Sequence, residues 1–385
     1  MTRLLYILPG LVPPGPDTAY DKFTYLSDVA EGVVLLPVWW RSRLNAPAYI
    51  ESTFPIYRVG NFSYHFFLPF RYPKPVQRLA MFAFYVRRGL QLHRIKKFDV
   101  IIIYGTNVPG LAALLLKWLT GAKLIAEIPG VPEDAFRYEH PSAGRSSSLK
   151  RFLANQCLLA VGFSADTLKL LYPWQLQAFR SLQKKKAAVF HDFVPVRAIR
   201  PSPSSELFIL SVGHPWFRKG IDILIQAFKS IAPSYPDYRL KLLGFYTGAE
   251  RLGDLARGYP QIEFLEARPF EQAIGVIGRC SIYVLASRSE AMGRVLLEAM
   301  AARKPIIASA VNGVPHYIRD NENGLLFQSG NVKDLATKLE RLMSDANLRE
   351  RLAQYAYANV RSHYDEQSYV RSFREMLDRA RDPRV

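Results

Sequence analysis

The feature that most constrains this chain is the alternation of short apolar runs with longer stretches of helical period, present in both halves. Residues 4–8 (LLYIL), 32–38 (GVVLLPV), 99–105 (DVIIIYG), 122–128 (AKLIAEI) and 187–193 (AAVFHDF) are bounded by Gly, Pro or polar residues. Runs this short, without polar alternation, read as strands buried on both faces. Stretches such as 107–119 (NVPGLAALLLKWL) supply the helices between them. The second half repeats the pattern at 207–213 (LFILSVG), 239–245 (RLKLLGF), 262–267 (IEFLEA), 280–287 (CSIYVLAS), 304–311 (KPIIASAV) and 323–327 (NGLLF). Parallel strands need a crossover, usually a helix, so the expected class is α/β with two Rossmann-like parallel-sheet domains.

The stretch 195–206 (PVRAIRPSPSSE), rich in Pro, Ser and Arg, is the expected linker. This divides the chain into a first domain over 1–198 and a second over 206–365. A long polar–apolar helical region follows over about 334–382, and its last part, 366–385, is expected to cross back and complete the first domain.

Charge is unevenly distributed. Of a formal net charge of +18, residues 1–200 hold 26 Lys and Arg against 12 Asp and Glu, whereas residues 201–385 hold 25 against 21. A basic half beside a near-neutral one predicts a surface that meets something anionic, with nucleic acid and an anionic membrane leaflet as candidates. Cys157 and Cys280 are the two cysteines, without metal-ligand spacing, which fits a reducing cytoplasm and no zinc site. The N-terminal apolar run is broken by Pro9 and Gly10 and reads as a first strand rather than a signal peptide. No window approaches the length of a transmembrane helix.

Between the strand at 280–287 and an apolar helical run lies SRSEAMGRVLLEAMA, 287–301, with Glu290 and Glu298 on either side of Gly293 and Arg294. This is the carboxyl end of a parallel strand, where open α/β sheets bind ligands. The backbone N–H groups of Gly293, Arg294 and Val295 begin a helix, and the helix dipole and Arg294 favour an anion there. A phosphate at the helix end, flanked by two carboxylates that accept from vicinal hydroxyls, describes a nucleotide sugar. Spacing alone equally allows Glu290 as a helix-cap acid and Glu298 as a solvated helix residue.

The residues of this segment resemble the retaining glycosyltransferases of the GT-B fold, family 4, whose signature reads E-G-F-G-x-x-x-x-E-A-M-A; here Glu290 to Ala301 read EAMGRVLLEAMA. Further segments fall in the family's order. SVGHPWFRKGIDILIQAF (211–228) is similar to G-x-x-x-x-K-G-x-D-x-L-I-x-A, and KPIIASAVNGVPHYIRDNENGLLF (304–327) to the K-P-V-I-A-S…N-G-L-L-F segment. The likeness is close over 205–345 and diffuse before residue 200. It implies two lobes facing each other across a cleft, the donor mainly on the second and the acceptor on the first. It further implies that Glu298 holds the ribose hydroxyls and Glu290 faces the donor sugar. The main chain from Gly293 to Val295, beside Met292, would meet the diphosphate, and Lys219 would neutralise the departing phosphate. Gly213 and His214 would border the donor, and Gly15, after the first strand, would lie near the phosphates or acceptor. No cofactor and no metal are implied, and nucleic acid is not an expected partner.

Several positions depart from the family pattern. His214 stands where many members have arginine, so Arg218 or Arg294 would supply that charge. Ala291-Met292 replaces Gly-Phe, and Pro315-His316 replaces Pro-Glu; an exposed helix-start residue is an equal reading of His316. A histidine near the reacting sugar in many members has no counterpart in 126–136 (AEIPGVPEDAF), leaving Glu127, Glu133 and Asp134 as the available acids. Glu127 reads equally as a structural carboxylate at a strand end.

Residues 61–98 interleave aromatic and basic residues. A helix over 76–98 would turn Leu79, Phe82, Val86, Leu90 and Ile95 to one side, with Arg87, Arg88, Arg94, Lys96 and Lys97 largely elsewhere, and Lys184–Lys186 add to the charge. This is the pattern of an interfacial helix on anionic lipid, or of a helix packed on its own sheet with solvated basic positions. The first reading implies a peripheral protein at the cytoplasmic face of the membrane with a lipid-linked or glycan acceptor. Two rivals remain at this stage: a soluble or sugar-phosphate acceptor, and a non-catalytic nucleic-acid- or membrane-binding protein. A dinucleotide enzyme is disfavoured because no G-x-G-x-x-G follows the first strand.

Overall fold

The computed structural model describes residues 1–9, 21–37, 56–67, 73–130, 145–177, 179–201, 206–246 and 250–381. The chain divides into two compact units, one of Met1–Glu133, Ala143–His191 and Tyr369–Val385, the other of Asp134–Ser142 and Asp192–Ser368.

The first unit contains β1 (Thr2–Ile7), α1 (Lys22–Leu26), β2 (Ala30–Pro37), β3 (Ile56–Val59), β4 (Phe62–Phe67), α2 (Lys74–Ile95), β5 (Val100–Tyr104), α3 (Val108–Thr120), β6 (Lys123–Glu127), α4 (Arg145–Ser164), β7 (Thr167–Leu170) and β8 (Ala187–Val189). Among the described residues these strands form one sheet in the order β3-β4-β2-β1-β5-β6-β7-β8. All pairs are parallel except the β3–β4 edge pair, which is antiparallel. The expected strands of the first half are present, and β3, β4 and β7 join them. β4 (FSYHFF) takes the beginning of the aromatic-basic stretch into the sheet, with Phe62, Tyr64 and Phe66 buried.

The helix expected over 76–98 is α2, and the apolar stripe named there is not the face it buries. Met81, Tyr85, Gly89 and Leu92 face inward; Leu79 and Ile95 are exposed; Phe82, Val86 and Leu90 are half-buried against the core of the first unit. Gly89 comes so close to Leu116 of α3 that a Cβ would lie 3.0 Å from its side chain. The reason for the difference is that apolar side chains fall on more than one side of α2, so close packing on α3 and the sheet selects the inward face. Among the described residues no helix is long and apolar enough to cross a membrane.

The second unit contains β9 (Glu206–Val212), α5 (Ile221–Ile231), β10 (Arg239–Gly244), α6 (Glu250–Ala256), β11 (Ile262–Glu266), α7 (Phe270–Arg279), β12 (Cys280–Leu285), α8 (Arg294–Ala301), β13 (Ile306–Ser309), α9 (Val314–Tyr317), β14 (Leu325–Phe327), α10 (Val332–Ser344) and α11 (Ala346–His363). Its described strands form an all-parallel sheet in the order β11-β10-β9-β12-β13-β14. The order reverses direction at β9, and β12 lies beside it. A strand-order reversal opens a crevice at the carboxyl ends of the strands. The core is a continuous cluster in which Ile221, Leu224, Ile225 and Phe228 of α5 pack with Ile209, Leu242, Ile282 and Leu339.

The expected final helical region forms α10, α11 and α12 (Glu366–Arg381). Tyr369, Phe373, Met376 and Leu377 of α12 are buried at helical spacing. Tyr369 meets Phe190 edge-to-face at 5.7 Å and Arg381 reaches Thr2 at 3.2 Å, so the helix from Tyr369 onward packs within the first unit.

Candidate active site

Two segments of the second unit meet at the carboxyl ends of β9 and β12. One is the loop 213–220 between β9 and α5; the other is 286–293 between β12 and α8. Gly220 permits the approach: it has φ +64, and a Cβ there would stand 1.9 Å from the Ala286 carbonyl oxygen. Gly213, at φ +143, lies against the Lys219 stem, where a Cβ would come within 2.8 Å of Cε. Both positions need a residue without a side chain.

Lys219 and Glu290 are brought together by this approach. Lys219 Nζ donates to Glu290 Oε2 at 2.5 Å, Ser287 Oγ donates to the same oxygen at 3.3 Å, and Arg218 Nη1 lies 3.6 Å from Oε1. Lys219 and Glu290 are 7 % and 8 % exposed. Burial pushes the Glu290 carboxyl pKa up; the charges of Lys219 and Arg218 and the bonds from Lys219 and Ser287 outweigh it and hold the pKa below the ordinary carboxylate value. The Glu290 backbone N–H donates to Asn312 Oδ1 at 3.1 Å, and the Ser287 carbonyl accepts from Ser309 Oγ at 2.6 Å. The end of β13 and the loop after it therefore brace the backbone that carries Ser287 and Glu290.

Gly293 caps α8 at φ +64, and the Tyr317 hydroxyl donates to the Met292 carbonyl. Met292 is buried, as is Glu298 one turn into α8. Of the two arginines expected to replace a family charge, Arg218 stands at Glu290, whereas Arg294 is half-exposed and 3.8 Å from Asp192. His214 is exposed, and its Nδ1–H donates to the Phe245 carbonyl at 3.0 Å. His316 is on the exposed side of α9, with its pKa lowered by burial of the ring.

Arg288 is the residue that sequence reasoning missed. Its guanidinium makes a two-point ion pair with Asp222, Nη1 to Oδ1 and Nη2 to Oδ2 both at 2.8 Å, and Nη1 also donates to the Phe217 carbonyl at 2.6 Å. It lies 4.1 Å over the Phe217 ring, and its backbone N–H donates to the Arg218 carbonyl at 2.8 Å. Arg288 thus clamps the loop that carries Arg218 and Lys219 to the segment that carries Glu290. The only local signal was the aspartate of the K-G-x-D pattern, Asp222; its partner is 66 residues away.

In the first unit, Glu127 ends β6 and is 2 % exposed. It accepts from the Tyr6 hydroxyl, and Lys169 and Lys22 lie 3.5 and 3.6 Å from Oε2. The Lys22 ammonium stands 4.1 Å over the Tyr6 ring. Gly15, Glu133 and Asp134 lie outside the described residues. Among the described residues no three His, Cys, Asp or Glu side chains are grouped to hold a metal ion.

The sequence pattern of the family "Glycosyl transferases group 1" matches residues 195–359. Residues 195–359 are a glycosyl transferases group 1 domain. That span contains Lys219, Arg288, Glu290 and Glu298 and covers less than half of the chain. An uncharacterized glycosyltransferase of Methanocaldococcus jannaschii is 36% identical over 150 residues, 38% of this chain and 41% of that protein. The chain thus matches less than half the length of this curated relative. Two solved structures cover nearly all of both chains. Sucrose-phosphate synthase from Thermosynechococcus elongatus superimposes with a TM-score of 0.80 at 15% identity, covering 98% of this chain and 99% of that one. Anabaena HepE in complex with UDP-glucose superimposes at 0.70 with 17% identity, covering 98% and 100%. At these identities the likeness is one of fold, and the fold of two parallel-sheet domains is that of GT-B glycosyltransferases.

Proposed function

We propose that the protein is a retaining glycosyltransferase of family 4 that moves a sugar from a nucleotide-sugar donor to a hydroxyl of a lipid-linked or glycan acceptor, without a metal ion. The observation that carries this reading is the convergence of Lys219, Arg218 and Glu290 beside the amino terminus of α8. In this structure Glu290 pairs with both cations and leaves a net positive charge beside them. The donor diphosphate takes up that charge, bound by Lys219, Arg218 and the main chain of Gly293 to Val295. Glu290, kept ionised, accepts from hydroxyls of the sugar, and Glu298 accepts from the ribose. As the bond between the anomeric carbon and the β-phosphate oxygen breaks, Lys219 stabilises the charge gathering on the phosphate. The acceptor oxygen bonds to the same face of the sugar, and its proton passes to the departing phosphate oxygen. HepE, of the same fold, was solved with UDP-glucose, which supports a nucleotide-sugar donor.

The first unit supports the lipid-linked acceptor and a peripheral place at the cytoplasmic face of the membrane. α3 packs beside both α2 and α4. Leu79 and Ile95, Trp118, and Leu149 and Phe152 are exposed on α2, α3 and α4 in turn. Arg78, Arg94, Lys96, Lys150 and Arg151 are exposed among these residues. Apolar side chains among cations suit an anionic lipid surface.

The test is a thermal-shift panel of UDP-, GDP-, ADP- and CMP-sugars on the wild type and Glu298→Ala. One nucleotide should stabilise the wild type and lose its effect in the variant. An equal shift in both proteins places the nucleotide elsewhere and defeats the assignment. Sedimentation with phosphatidylglycerol vesicles tests the acceptor side: a wild type that stays in the supernatant at low salt overturns the membrane reading.

A further inference from the structure

The second unit has a cavity of about 540 Å³ at the amino-terminal ends of β12 and β13, at the end of the sheet opposite the candidate active site. Cys280, the first residue of β12, and Pro305, just before β13, lie on its wall, whereas Glu290 follows the far end of β12. Six residues of strand, at about 3.3 Å each, place the cavity roughly 20 Å from the donor pocket. Its other walls come from the turn after α8, with Arg303 and Lys304, and from the first turns of α11, where Ala346, Arg349, Glu350 and Ala353 share one face.

We propose that this cavity is a binding site for a small organic phosphate, separate from the donor site. Among the described residues three cations line it, Arg303, Lys304 and Arg349, with one carboxylate, Glu350, which pairs with Arg303 and also acts on Lys304. Lys304 is 3 % exposed, so the excess positive charge is held at depth and not on solvated lysines. Burial lowers the Lys304 pKa; Cys280 and Glu350 act in the opposite direction without restoring it. An anion in the cavity would offset that cost. Arg349 Nη1 donates to the Leu342 and Met343 carbonyls at the end of α10, at 2.5 and 3.1 Å, which fixes the guanidinium at the cavity wall.

Two further features bear on the ligand. α11, 18 residues long, begins at the cavity; the Asp345 carboxylate at its N-cap accepts from the Leu348 N–H at 2.8 Å, and the remaining first-turn N–H groups face the cavity end beside the three side chains. Pro201, Pro305, Ala346, Ala353 and the Cys280 thiol, whose pKa burial pushes up to about 12, give an uncharged wall for a carbon skeleton. The volume lies within the range of small-molecule sites, about 300–1,000 Å³. A phosphomonoester with a sugar- or glycerol-sized body fits this combination; among the described lining residues there is no aromatic side chain for a nucleotide base to stack on.

The experiment is calorimetric titration of the full chain with inorganic phosphate and with glycerol 3-phosphate. The variants are Arg303→Ala, Ala346→Glu at the exposed rim, and Lys219→Met in the candidate active site. The expected result is millimolar or tighter binding to the wild type and to Lys219→Met. Binding should be at least tenfold weaker in Arg303→Ala and absent in Ala346→Glu. Both cavity variants change exposed residues, so thermal unfolding close to that of the wild type checks that they fold. Absence of binding to the wild type overturns the proposal. So does binding lost in Lys219→Met and kept in the two cavity variants, since it would put the phosphate in the donor pocket.

Discussion

Replacing Arg288 by alanine removes the clamp between the two loops of the candidate active site, and the size of the loss can be worked from its contacts. Arg288 and Asp222 side chains are 19% and 11% exposed, and the pair has two parallel bonds of 2.8 Å with a third to the Phe217 carbonyl. Removing one partner of a buried ion pair costs about 3–5 kcal/mol, because the other charge stays behind without compensation. Partial access of water to the arginine puts this pair at the lower end, about 3 kcal/mol. For a unit of this size that lowers the melting temperature by roughly 6–12 °C. Denaturant titration of wild type, Arg288→Ala, Asp222→Ala and the double variant should show a lowered midpoint with an unchanged slope. The second substitution should cost less in the background of the first than in the wild type, by about 1–3 kcal/mol of coupling. Arg288→Lys keeps the charge but loses the fork, and should fall between wild type and alanine. A loss below about 1 kcal/mol for Arg288→Ala, or costs of the two single variants that simply add, would refute the clamp.

Other predictions follow from particular contacts. Lys219→Met leaves Glu290 buried with Arg218 as its remaining cation, so its carboxyl pKa should rise. In the wild type the depressed Glu290 pKa contributes stability above the unfolded value of about 4.3, lost as pH falls through the folded pKa. The deficit of the variant should therefore be about 3 kcal/mol at neutral pH and shrink in acid, and a deficit independent of pH contradicts the pairing. Gly220→Ala puts a Cβ 1.9 Å from the Ala286 oxygen at φ +64, and should cost at least about 2 kcal/mol and weaken nucleotide binding; unaltered binding would mean that the loop approach does not shape the site. His65, buried and facing Arg88, has its pKa lowered to about 4 by burial first and by the arginine second. Its Nδ1 accepts from Arg88 at 2.9 Å, so it is neutral in the fold. Because the unfolded ring takes a proton near pH 6.5, stability should fall between pH 6.5 and 4, and His65→Gln should flatten that slope, read by urea unfolding at stepped pH.

The second unit was legible in sequence because its inner strands, such as β12 and β13, are buried on both faces and stand out as apolar runs, and the edge strand β11 is still an apolar run although partly exposed. Each of the six expected runs is a strand. In the first unit β7 (TLKL) was missed because Lys169 interrupts it; the carboxylate that makes a buried lysine tolerable there, Glu127, is 42 residues away. Which face of α2 turns inward was not legible because apolar side chains fall on more than one side of the helix, and no single stripe is fixed until a neighbour packs against it. In the candidate site, Lys219 and Glu290 were found separately through short motifs. Their contact, and the Arg288–Asp222 clamp, depend on two loops meeting across the ends of β9 and β12, which local spacing does not encode.

The return of α12 to the first unit has a consequence for biosynthesis. Tyr369, Phe373, Met376 and Leu377 bury themselves in a unit whose sheet is otherwise finished by residue 189. On the ribosome the first sheet emerges early and waits while the whole second unit is translated, for roughly 10–40 s at ordinary elongation rates. During that interval the groove awaiting α12 is open, and a nascent chain in this state is a substrate for chaperones. Ribosomes stalled before residue 369 should present a first unit more sensitive to protease than in the full chain, and supplying the helix as a separate peptide should protect it.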